Sequence, residues 1–161
     1  MTMLLRSILH FASLAAATAV SASPIANHPF QRVVQCETDY SEINFCDKAH
    51  LAAINKAVLT RRADFNEHYI FLTVPVAGNR AVKGSAVVID TKTGMVYPLP
   101  FDFYGGYVDR KGFPVSSPAL QVKYDLQSPK ICIHGSTYAY RDVYENQVSC
   151  FVFNGAGFDK Q

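Results

Sequence analysis

The sequence predicts an α+β domain: one N-terminal helix packed on a largely antiparallel sheet of about six strands, held by two disulfides. Three observations predict it. Only residues 47–61 carry apolar side chains at helical spacing. From residue 67 onward, apolar and polar residues alternate in short runs divided by turn residues. Those runs follow one another too closely for the crossovers that a parallel sheet needs.

The helix has clear local causes. Asp47 can cap its N-terminus, and Ala49, Ala52, Ala53 and Ala57 favour it. Leu51, Ile54 and Val58 share one side, while Arg61 and Arg62 stand at the end that favours cations. The strands come next. HYIFLTVPV (68–76) sets His68, Ile70, Leu72 and Val74 on one face and Tyr69, Phe71 and Thr73 on the other. GNR (78–80) turns the chain into KGSAVVID (83–90). TKTG (91–94) is a hairpin turn with Gly94 suited to positive φ, and MVYPLP (95–100) returns from it. ALQVKYDL (119–126), KICIHGSTYAY (130–140) and YENQVSCFVFN (144–154) complete the six, and NGAG (154–157) is expected to end the sheet.

The chain is 161 residues long, the length of one domain. Its first 22 residues read as a secretory signal. A start ending in Arg6 precedes the mostly apolar run SILHFASLAAATAV (7–20) and the small-residue stretch Val20-Ser21-Ala22. The run is shorter than the roughly 20 residues of a bilayer span. The expected division is therefore a signal peptide, 1–22, and one secreted domain, 23–161. Without Arg6 the chain keeps 14 basic and 13 acidic side chains. That balance, with no basic stripe, argues against nucleic acid, and no later segment reads as a membrane span.

Four cysteines follow: Cys36, Cys46, Cys132 and Cys150. An even count in an exported chain reads as two disulfides, with three pairings open. Cys36–Cys46 with Cys132–Cys150 is favoured because both close locally. Facing Cys132 to Cys150 in a hairpin sets Tyr138 opposite Tyr144 and Thr137 opposite Glu145, with the turn over residues 139–142. The spacing fits no zinc pattern, so neither metal nor cofactor is expected.

The stretch FDFYGGYVDRKGFPVSSP (101–118) fits neither period. Gly105, Gly106, Gly112, Pro114 and Pro118 interrupt both helix and strand. Long aperiodic segments in compact domains are commonly functional, and rigid rings suit binding surfaces. The expected partner-binding set is Phe103, Tyr104 and Tyr107 as anchors, with Asp109, Arg110, Ser116 and Ser117 as polar contacts. A packing role for Phe101, Phe103 and Phe113 at the open end of the sheet weighs equally.

An enzymatic reading has weaker candidates. Asp64, Glu67 and His68 could form a carboxylate–imidazole pair, but Glu67 and His68 point to opposite faces of a strand. His134 and Ser136 share a face, yet two residues along a strand are roughly 6–7 Å apart, too far for a nucleophile and its base. No nucleophile elbow, P-loop or dinucleotide fingerprint is present. The first choice is therefore a non-enzymatic chain. A small hydrolase using His68, or His134 with Ser136, and an envelope-structural domain are the alternatives.

FNEHY (65–69), GSAVVIDTKTGMVYPLP (84–100), Asp125 with Ser128, and the ending NGAGF (154–158) resemble a widespread group of small exported bacterial proteins. Their pattern runs F-x-G-H-Y, then D-x-x-T-G-x-V-Y-x-L-P, then L-x-Y-x-x-D-S. Here Glu67 takes the place of the glycine before the histidine. The resemblance implies fold and export. Size, export and paired cysteines are also similar in kind to periplasmic immunity proteins and lysozyme inhibitors. That likeness implies a periplasmic protein that pushes a loop into the cleft of a cell-wall-degrading enzyme.

Overall fold

The computed structural model describes residues 30, 32–37, 42–76, 82–139 and 142–161. The expected signal segment (1–22) and the GNR turn (78–80) lie outside them, as do residues 140 and 141 of the last expected turn.

Helix α1 spans Lys48–Thr60. Asp47 caps it, its side chain accepting the His50 amide N–H at 2.8 Å. That hydrogen bond above all holds the Asp47 carboxyl below the ordinary carboxylate range. The Arg61 N–H closes the last turn on the Ala57 carbonyl at 2.8 Å. The buried His50 ring fastens the first turn, its nitrogens 2.8 Å from the Asn44 carbonyl oxygen and 3.1 Å from that of Pro75.

Nine strands lie among the described residues: β1 (Arg32–Val33), β2 (Tyr69–Val74), β3 (Val82–Asp90), β4 (Met95–Pro98), β5 (Phe103–Gly105), β6 (Gln121–Lys123), β7 (Lys130–Ala139), β8 (Asp142–Phe153) and β9 (Phe158–Lys160). They form one sheet in the order β1-β4-β3-β5-β7-β8-β9, with β2 beside β3 and β6 beside β7. The sheet is therefore mixed and larger than the expected six antiparallel strands. Arg32 and Val33 pair in parallel with Met95 and Val96. The other additions are β5, inside the aperiodic stretch, and β9, which folds back on β8 beyond the NGAG turn. Each addition has only two or three residues, too few to show a period.

Two apolar layers explain the alternation in β2 and β3. Ile70, Val74, Val87, Ile89 and Val96 meet Ile54, Ala57 and Val58 of the helix. On the opposite face Tyr69, Phe71, Ala86 and Val88 meet Ile131, Ile133, Phe151 and Phe153 of the β7–β8 hairpin. Both faces of β2 and β3 are thus core.

The disulfides join Cys36 to Cys46 and Cys132 to Cys150. The first ties the segment after β1 to the residues just ahead of the helix. The second faces across the β7–β8 ladder, within a register that runs from Lys130↔Val152 to Gly135↔Gln147. There the register shifts by one residue, so Thr137 faces Tyr144 and Tyr138 faces Val143, not the expected Tyr138–Tyr144 and Thr137–Glu145 pairs. The extra residue is on β8, where Asn146 has φ 55°.

Asn66 and Glu67 also adopt positive φ, 39° and 67°. Their N–H groups donate to the Asp125 and Leu126 carbonyls, clasping the entry of β2 to the exit of β6. A non-glycine residue in this region carries about 1–2 kcal/mol of steric cost. Glycine removes it but adds freedom to the unfolded chain. Glu67→Gly should therefore raise stability by about 0.5–1 kcal/mol in urea unfolding. A lower midpoint would show that the Glu67 side chain outweighs the strain.

Candidate functional site

The segment after β4 first enters the sheet and then leaves it. Phe101 is buried, its ring 5.9 Å from Tyr104 and 5.4 Å from Phe151. Strand β5 lies between β3 and β7, so Tyr104 is only 2% exposed. Its hydroxyl hydrogen-bonds Thr73 Oγ1 at 2.6 Å, and burial pushes the phenol above its ordinary range. Phe103 is half-buried against the helix-side layer. Tyr104 is therefore a core residue and not a surface anchor, and Phe103 offers only part of a ring. The physical reason is the close approach of β5 to β7. A Cβ on Gly135 would stand 2.3 Å from the Gly105 carbonyl oxygen, so a side chain there is excluded.

Beyond β5 the chain becomes a surface arm, residues 106–119. Tyr107 is half-buried and Val108 is buried. The Val108 N–H donates to Asn146 Oδ1, and Asn146 Nδ2 donates to the Val108 carbonyl, both at 2.8 Å. The amide side chain thus replaces a neighbouring strand. The bulge that puts Asn146 there is itself held by Ser136, whose Oγ accepts the Asn146 N–H at 3.2 Å.

The arm then closes on itself. Val108 bridges Pro114, and the Val115 N–H reaches the Tyr107 carbonyl at 2.9 Å. Asp109 Oδ1 accepts the N–H groups of Lys111 and Phe113, at 2.8 and 2.9 Å. Gly112, at φ 78°, completes the tip. This is a braced hairpin. Asp109, Arg110, Ser116 and Ser117 are exposed along it. So are two apolar residues outside the expected anchor set: Phe113, 63% exposed, and Val115, 37%. The signal in the sequence was Asp109 three residues before Gly112, an Asx-type turn that throws the next side chain outward.

The histidine candidates remain apart. His68 Nε2 lies 3.6 Å from Asp90 Oδ1, and its ring packs on Tyr69 with centroids 4.2 Å apart. Asp90 is committed to its own turn, accepting the Lys92 and Thr93 N–H groups and the Thr93 hydroxyl at 2.8, 3.2 and 2.7 Å. Burial first, and the Asp90 charge second, push the phenols of Tyr69 and Tyr97 upward. Asp64 pairs with Arg61 and accepts the Phe71 N–H, while Glu67 is exposed. His134 is half-buried and stands between Gln121 and Val148 in the ladder. Ser136 is fully buried. Among the described residues no hydrogen bond joins His68, His134 and Ser136, and no cluster of three or more His, Cys, Asp or Glu side chains could hold a metal ion.

Fold and site together define a class: a disulfide-stapled α+β sheet domain that presents a braced hairpin arm. No family model, curated protein or solved structure matches the chain. No helix among the described residues is long and apolar enough to cross a membrane.

Proposed function

We propose that this chain is an exported binding protein that docks on a protein partner through the arm at residues 106–119. One observation carries the reading: Phe113 stands 63% exposed on a hairpin whose backbone is held at its base and at its tip. A rigid exposed ring gives contact area with little ordering cost, which is the character of a binding hot spot. Val115 extends the apolar contact, and Asp109, Arg110, Ser116 and Ser117 supply polar partners. The partner class favoured by a narrow protruding hairpin is an enzyme with an open cleft, in the periplasm a peptidoglycan-directed one. The two disulfides fit an exported location.

The test is inhibition and binding against a panel of muramidases and peptidoglycan amidases. With a partner in hand, Phe113→Ala should weaken binding by about 2 kcal/mol or more. Because the side chain is exposed, stability should change by less than about 0.5 kcal/mol. Unchanged affinity in a folded variant removes the arm from the interface.

A further inference from the structure

A second surface, away from the arm, has the form of a ligand site. Strand β2 pairs only with β3, and β6 only with β7, among the described residues. Side chains from and beside these two strands line a groove of about 410 Å³, within the usual span of small-molecule sites of roughly 300–1,000 Å³. Phe71, Leu120, Val122 and Tyr124 give it an apolar lining.

The groove has two unlike ends. At one, the Phe71 and Tyr124 rings approach to 4.6 Å, and the Asn66–Glu67 turn is hydrogen-bonded to Asp125 and Leu126. Arg61 lies there too, but Asp64 pairs with it and matches its charge. These contacts tie the two sides of the groove together at this end. At the other end are Lys83 and the Thr73–Tyr104 hydroxyl pair. Lys83 makes no hydrogen bond or ion pair among the described residues. In the hydroxyl pair one O–H donates to the other oxygen, which leaves the second O–H available to a ligand. Among the described residues the only unmatched charge lining the groove is therefore positive, and it lies beside a hydroxyl pair.

We infer that this groove binds an amphiphilic monocarboxylate, with its chain on Phe71, Leu120, Val122 and Tyr124 and its carboxylate at Lys83 and the Thr73–Tyr104 pair. The Phe71, Leu120, Val122 and Tyr124 side chains suit an alkyl chain, and a cation with a hydroxyl donor suits a carboxylate. The inference is independent of the arm, whose partner could be found or excluded without bearing on it.

Sodium dodecanoate is the probe, titrated below its aggregation concentration into the ¹⁵N-labelled protein at neutral pH. The amides of Thr73, Lys83, Val122 and Tyr124 should shift and saturate. Dodecanol, which keeps the chain and loses the charge, should bind about fivefold more weakly or worse. Lys83→Met should lower dodecanoate affinity by about the same factor, with the free variant's spectrum otherwise unchanged. Absent or non-saturating shifts, shifts confined to other surfaces, or equal binding of the alcohol and the carboxylate each overturn the assignment.

Discussion

Gly135→Ala should destabilise the protein by about 3 kcal/mol or more. The new Cβ would stand 2.3 Å from the Gly105 carbonyl oxygen and 3.0 Å from Leu120 Cδ1. Leu120 can turn aside, but a carbonyl in a central strand cannot. Relief requires β5 to move off β7, which loosens the core at Tyr104 and Phe101. The native controls are in the same chain. Nothing lies within 4 Å of a Cβ built on Gly106 or Gly157, so Gly106→Ala and Gly157→Ala should each change stability by less than about 1 kcal/mol. Urea unfolding of the three variants checks the comparison. An equal effect at all three positions would refute the close approach of β5.

Removing the Cys132–Cys150 bond should cost about 3 kcal/mol. The cysteines are 18 residues apart and face each other in the ladder. The bond therefore limits the unfolded chain while leaving the native register to the hydrogen bonds. The double variant Cys132→Ala/Cys150→Ala avoids leaving a lone thiol, and calorimetry reads the loss as a lower unfolding temperature. Cys36–Cys46 closes a shorter loop, with a separation of 10, and its entropic share is slightly smaller. A loss below about 1 kcal/mol at Cys132–Cys150 would mean that the unfolded chain already holds the hairpin.

Much of the architecture was legible where a period or a covalent bond set it. Leu51, Ile54 and Val58 marked the helix face, and Asp47 its start. The alternation of Tyr69–Val74 marks the two faces of β2, and the facing cysteines mark the β7–β8 register up to Gly135. What escaped did so for definable reasons. Strand β5 is Phe103–Gly105, three residues followed by another glycine, so its burial depends on neighbours distant in sequence. The parallel pairing of Arg32 and Val33 has no local signal at all. Asn146 stands in a run that reads as an unbroken strand, and its left-handed backbone is stabilised by Ser136 and Val108, ten and 38 residues away. The aromatic stretch is aperiodic, but ring type does not decide exposure. Tyr104 went in because the sheet closes over it, and Phe113 went out because Asp109 turns the chain just before it. His68 and Asp90 do meet, yet the turn residues Lys92 and Thr93 occupy the carboxylate.

The arm's manner of attachment bears on how this domain can diversify. Asp109 and Gly112 shape the tip from within, and Asn146 grips only the backbone of Val108, so the scaffold never reads which side chains the tip displays. Side chains at 110, 111 and 113 are therefore exchangeable: they can be replaced while the sheet, its staples and its bulge stay as they are.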